Sequence, residues 1–177
     1  MVHPPRCKNT KLFDYASQIG KKMSDLKQKI LNDLRVELSD EFDRNFQRKA
    51  FFDKPWPPRR MNGKGSLLMV TGKLRRSIRC RVDADSVVWE TSERYAAIHN
   101  YGGTITVTAK MKKFFWYKHK ATKNDAWKWM ALMKVGTRIT IPQRQFLGDH
   151  PEVRKRCDAI ISRNLQKAAQ DMLKKLK

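Results

Sequence analysis

Ile78-Arg79-Cys80-Arg81-Val82-Asp83-Ala84-Asp85-Ser86-Val87-Val88-Trp89-Glu90 is the stretch that decides the fold class. Apolar residues at 78, 80 and 82 alternate with arginines, the period of a half-buried strand. Residues 83–86 supply a turn, and a second apolar run follows. The pattern predicts a β-hairpin.

On both sides of it the period lengthens to that of a helix. Upstream, Ala16, Ile19, Met23, Leu26, Ile30, Leu34, Leu38, Phe42 and Phe46 recur at spacings of three and four, which predicts a helix from about Leu12 to Ala50. Ser39-Asp40 offers a cap at which that pattern can break once. Downstream, Val153, Cys157, Ile160, Ile161, Leu165, Ala168, Met172 and Leu176 form the stripe of a terminal helix with Pro151 in its first turn.

Shorter elements fill the middle. Prolines 55, 57 and 58 end the first helix, and Trp56 among them is placed to pin the loop to the body. Tyr95 to Tyr101 reads as a short helix ended by Gly102, with Gly103 allowing a sharp exit. The β-branched runs Thr104–Thr108 and Thr137–Ile141 read as two further strands. The expected architecture is α+β: a four-stranded antiparallel sheet packed by a long N-terminal and a C-terminal helix, in a single domain over 1–177. Residues 1–10, with Pro4 and Pro5, read as an irregular leader. Residues 109–136 read as an extended, β-hairpin-like insertion.

Composition bounds the function. A hydrophobic share of 40% over 177 residues, with five Trp and eight Phe, supports a packed core. Lys plus Arg number 39 against 17 Asp plus Glu, a formal charge of +22 that favours nucleic acid, anionic lipid or an acidic protein face as partner. Cys7, Cys80 and Cys157 are too few and too scattered for a disulfide framework, and reduced thiols are expected. The N-terminus lacks a signal-peptide pattern, and no run approaches the roughly 18 apolar residues of a membrane span, so no membrane association and cytoplasmic synthesis are expected.

Catalytic chemistry finds little support. His99 stands beside Asn100 and Tyr101 with no Asp, Glu or Cys cluster near it in sequence, and a lone histidine is usually structural. The four His and three Cys show no zinc spacing, so neither a metal nor a cofactor is expected. Two basic segments are better candidates for contact with a partner. In the insertion, Lys112, Lys113, Phe114, Phe115, Trp116, Tyr117 and Lys118 interleave cations with aromatics, which can hold phosphates and stack bases. The stronger reading is that the aromatics pack on a neighbouring subunit or on the returning arm, with Trp127, Trp129 and Met130 as partners and lysines at the rim. Arg75, Arg76, Arg79 and Arg81 read as one face of a sheet that meets either DNA or carboxylates.

Three segments in order carry a resemblance. They are Thr71-Gly72-Lys73-Leu74-Arg75-Arg76-Ser77-Ile78, Tyr95-Ala96-Ala97-Ile98-His99-Asn100-Tyr101-Gly102-Gly103, and Ile141-Pro142-Gln143-Arg144-Gln145-Phe146-Leu147-Gly148. With the Trp56 loop and the flanking helices, the chain from about Leu12 to Leu176 resembles the phage virion morphogenesis family, the tail-completion and neck proteins of tailed phages and prophages. The resemblance implies a non-enzymatic structural protein of the virion, made in the bacterial host cytoplasm. It further implies a homo-oligomeric ring, sixfold as in tail proteins, at the head-proximal end of the tail or at the head–tail neck. Other tail or connector proteins would be its partners, with DNA passing through the lumen. Position by position, Thr71, Gly72, Leu74, Ser77 and Ile78 would form the turn into the first strand. Tyr95, Ala96, Ile98, His99, Gly102 and Gly103 would form the short helix and its exit, and Pro142, Arg144, Phe146 and Leu147 the link into the last helix. The long aromatic insertion departs from many relatives. The alternative of a different class is a small basic nucleic-acid-binding domain acting alone.

Overall fold

The computed structural model describes residues 10–59 and 65–175. The expected leader lies outside the described residues except for Thr10, with which helix α1 (Thr10–Arg48) begins. α1 runs unbroken through Ser39-Asp40. Its buried positions include Leu31, Leu38, Phe42 and Phe46, spaced by seven and four as one helical face requires, while Ile19 and Met23 on the same predicted stripe are exposed. Lys49, in the left-handed region at φ 56°, ends the helix and turns the chain into β1 (Ala50–Phe51), which pairs antiparallel with β2 (Lys54–Pro55).

The remaining elements are α2 (Lys73–Ser77), β3 (Ile78–Val82), β4 (Val87–Thr91), α3 (Ala96–Tyr101), β5 (Gly103–Thr106), α4 (Ala109–Thr122), α5 (Asp125–Leu132), β6 (Arg138–Ile141) and α6 (Pro151–Lys174). β3 and β4 pair as the expected hairpin, whose turn is closed by Asp83 N–H donating to Ser86 O at 2.8 Å.

Two expectations fail here. The strands do not merge into one four-stranded sheet; they form three separate two-stranded sheets, β1-β2, β3-β4 and β5-β6. In β5 only Ile105 is shielded, and in β6 only Ile139 and Ile141, so this ribbon has one narrow apolar face and little to gain from further strand pairing. The insertion is not β-hairpin-like. It is a helical hairpin, because Ala, Met and Lys favour helix and both helices carry polar caps. Thr108 Oγ1 accepts from Met111 N at 3.2 Å and starts α4. Lys123, at φ 53°, ends it by donating its backbone N–H to His119 O. Asn124 Oδ1 accepts from Ala126 N at 2.9 Å and starts α5.

The chain divides into two compact units. The first comprises Met1–Ser39, Cys80–Val88 and Pro151–Lys177. It buries Leu31, Leu38 and Ile160, and is tied by Asn164 Nδ2 donating to Asp33 at 2.8 Å and by the pairs Arg163–Glu37 and Lys27–Asp85. The second comprises Asp40–Arg79 and Trp89–His150. Its core is Phe46, Trp56, Leu74, Ala96 and Phe146, with Leu67, Leu68, Met69, Ile78 and Leu147 packed against it. Phe46 meets Trp56 edge-on at 5.7 Å and Phe146 at 5.3 Å, contacts that add to what burial alone supplies. Buried Glu41 is compensated by Arg44 at 2.6 Å and Arg48 at 3.2 Å.

Candidate functional site

The segment Pro142–Leu147 has no regular structure, so its backbone polar groups need partners from elsewhere in the second unit. They come from four places. Arg144 N–H donates to His99 O at 2.7 Å, and Trp56 Nε1 donates to Gln145 O at 2.5 Å. Buried Asn100 accepts at Oδ1 from both Phe146 N (2.9 Å) and Leu147 N (3.0 Å), and donates through Nδ2 to Leu147 O (3.0 Å). Asn45, fully buried on α1, donates to Phe146 O at 3.3 Å while its Oδ1 accepts from Phe52 N and Arg48. The exit segment is thus a spine on which the loop after β2, the short helix α3 and the end of α1 are all fastened. Gly102 makes the close approach possible: at φ 73°, a Cβ there would sit 3.0 Å from Gln143 N.

Arg144 extends the spine sideways. Its Nε donates to Pro57 O at 2.9 Å and its Nη2 to Pro58 O at 3.0 Å, which holds the proline loop although that loop lacks donors of its own at both prolines. Arg144 as a residue is 7% exposed. Burial first, and the Arg59 cation second, lower its pKa from the usual arginine value. Beside it lies a cleft of about 320 Å³, walled by Leu67, Leu68, Val70, Leu74 and Tyr95, with Thr71, Arg59, His99 and Arg144 as its polar lining. His99 Nδ1 is shielded from solvent and has no hydrogen-bond partner among the described residues. Burial and the Arg144 cation hold this imidazole below its ordinary pKa, so it favours the neutral form.

The α4–α5 hairpin is a second surface feature of the same unit. Phe115 is buried and stacks on Trp127 at 5.9 Å, and Phe114 meets the same indole edge-on at 6.1 Å. Outside that small core Phe114, Trp116, Tyr117, Trp129 and Leu132 are exposed. Lys110, Lys113, Phe114, Tyr117 and Lys120 follow the three- and four-residue spacing of one helical face, with the Lys118 ammonium 5.6 Å from the Phe114 ring centroid.

The model of the phage virion morphogenesis family matches residues 7–166 of the 177. The chain belongs to this family. No curated protein and no solved structure gives a significant match. Membership in the phage virion morphogenesis family gives the protein a structural role in building a phage particle.

The residues that carry the family resemblance meet in the second unit. Trp56, Leu74, Ala96 and Phe146 are core, with Ile78 and Leu147 against them. Thr71, Tyr95, His99 and Arg144 line the cleft, so all three sequence segments reach it. Gly72 starts α2 in a left-handed conformation at φ 65°; Ser77 Oγ lies 2.6 Å from Thr91 Oγ1 and ties α2 to β4. Gly103 pairs with Ile141, and the Ile98 side chain lies 3.3 Å from where a Gly103 Cβ would be. Pro142 stands at the head of the exit segment.

The four arginines do not share one strand face. Arg75 and Arg76 lie on α2, where Arg75 pairs with Asp43 and Arg76 donates to Thr71 O at 2.9 Å. Only Arg79 and Arg81 alternate on the exposed side of β3, and Arg81 pairs with Asp83 at 2.8 Å. Of the insertion residues, Lys112 and Lys118 are half-buried, Phe115 is internal, and Lys113, Phe114, Trp116 and Tyr117 are exposed. Sequence reasoning missed Asn45, Asn100 and Arg59. Among the described residues no three His, Cys, Asp or Glu side chains are grouped as metal ligands, and no helix is long and apolar enough to cross a membrane.

Proposed function

We propose that this protein is a non-enzymatic tail-completion or neck component that closes into a homo-oligomeric ring, probed first as a hexamer, at the head-proximal end of the tail. It would be made in the host cytoplasm and carried in the virion. Family membership supports the structural class, and one observation carries the assembly reading: the α4–α5 arm buries Phe115 and Trp127 against each other yet leaves Tyr117 66% and Trp129 67% exposed. Large aromatics uncovered on a folded element mark a surface awaiting a partner, and aromatics with a cationic rim are the usual make-up of such an interface. The neighbouring subunit and other tail or connector proteins are the partners this reading supplies.

Charge favours a second reading, a basic nucleic-acid-binding domain. Residues 109–136 hold eight lysines against Asp125 alone among the acids. The two readings differ in solution. Native mass spectrometry and electron microscopy of the purified chain should give discrete closed rings, with duplex DNA bound weakly. A monomer at all concentrations that binds DNA with a steep inverse dependence on salt would replace the ring with the second reading.

A further inference from the structure

The arm has two outer faces of different make-up. On α5, Asp125, Lys128, Trp129 and Leu132 are exposed at three- and four-residue spacing, so that face mixes both signs of charge with an indole and an aliphatic chain. On α4 the exposed face is Lys110, Lys113, Phe114, Tyr117, Lys120 and Ala121, with no acid and no aliphatic side chain larger than alanine. The whole of α4 carries five lysines and neither Asp nor Glu. The arm lies wholly within the described residues, among which Lys110, Lys113 and Lys120 make no ion pair. Three like charges thus stand along about 15 Å of one helix face with nothing to offset them. Between them Tyr117 touches no other ring among the described residues, and its neighbour one turn on, Ala121, is too small to cover it. Phe114 lies beside it with the Lys118 ammonium 5.6 Å from its centroid, which brings a fourth cation alongside.

We propose that the exposed face of α4 binds single-stranded nucleic acid, with phosphates held by Lys110, Lys113 and Lys120 and an unpaired base stacked on Tyr117. The assignment deepens the ring reading, on which it rests only in leaving Trp129 and Leu132 to the neighbouring subunit. The rings select among polyanions. A duplex hides the faces of its bases inside the stack, so it meets the lysines but leaves Tyr117 without a partner. An acidic helix offers carboxylates, yet a helix laid in a groove is anchored by aliphatic side chains at one-turn spacing, and this face presents none for it to interlock with. A flexible single strand supplies both halves of the match, charge along its backbone and a planar base that needs no particular sequence.

The test is fluorescence anisotropy of the full chain with end-labelled oligothymidylate of about twelve nucleotides, a mixed-sequence duplex of the same length, and oligoglutamate of matched charge. The single strand should bind more tightly than either, with log affinity falling against log salt at a slope of about −2 for three phosphate contacts. Lys113→Gln should make that slope shallower by about 0.7. Tyr117→Leu, which keeps apolar area but loses the ring, should weaken single-strand binding about tenfold with the salt slope and melting midpoint unchanged. Equal binding by Tyr117→Leu overturns the proposal, as does no anisotropy change at about 100 μM chain. A duplex bound as tightly as the single strand assigns the face to phosphate charge alone, and oligoglutamate bound as tightly assigns it to an acidic protein; either outcome overturns the proposal. Light scattering is read on the same samples. If Tyr117→Leu also loses rings that the native chain forms, Tyr117 belongs to the subunit contact and the proposal falls. If the native chain forms no rings, the ring reading fails while the strand comparison, made variant against native, still decides the α4 face.

Discussion

At the scale of single residues, Asn100 bears the most. Its one amide satisfies three backbone groups 46 and 47 residues downstream, all in a segment without regular structure. Asn100→Ala leaves the buried Phe146 N and the part-buried Leu147 N unpaired and should cost about 2 to 4 kcal/mol, read from the urea midpoint at unchanged m-value. His99 gives a pH signature. Its folded pKa lies below the ordinary 6.5, so as pH falls through 6.5 the unfolded chain takes up the proton first. Its contribution is therefore full above pH 6.5 and declines as pH drops toward the folded value. A His99→Gln variant should show a flatter melting midpoint than the native chain on that acid side, and an equally steep profile would remove His99 as the cause. Neither Asn45 nor Asn100 was legible as functional, because an asparagine in a helix carries no periodic signal and its partner is backbone far along the chain. Trp56 was legible: an indole among three prolines has few roles besides anchoring the loop that holds it.

At the scale of elements, the arm is the decisive case. Its helices are hard to read from sequence because aromatics occupy the consecutive positions 114–117 with lysines on both sides, so the helical spacing is not set off as one apolar stripe. The informative residues were Thr108 and Asn124, whose side chains cap the two helices. The long helices and the β3-β4 hairpin were legible since their signals are local; the partition into three ribbons was not, since which strand edges meet depends on distant surface rather than on either strand's own pattern. The arm is joined to its unit through β5 and β6, whose ladder is continued at its base by Val107 N–H to Thr137 O and Gly136 N–H to Val107 O, each 2.9 Å. Removing Met111 to Val135 with a short glycine linker should therefore leave a cooperative melt while abolishing the larger species in light scattering. Loss of the melt would place the arm within the folding core. Thr108→Ala, a smaller lesion, should cost the arm about 1 kcal/mol, read as faster hydrogen exchange in α4 alone.

At the scale of the whole molecule, the charge of +22 sets up a positive field that favours polyanions and acidic surfaces, and raising the salt concentration should weaken any association that depends on it. The exit segment has a consequence for how the chain comes into being. Its fastenings reach back 101 residues to Asn45, 89 to Trp56 and 87 to Pro57. Closing loops of that size precedes any reward from the contacts, so most of the second unit's core can consolidate only once Leu147 has left the ribosome. A chain stopped after Ile141 should have helical circular dichroism without a cooperative thermal transition, and restoring residues up to His150 should bring the transition back. Timing then becomes an ordering rule: while the nascent chain is still short, the segment that fastens the loop after β2, the helix α3 and the end of α1 does not exist, and those three elements have nothing to close upon.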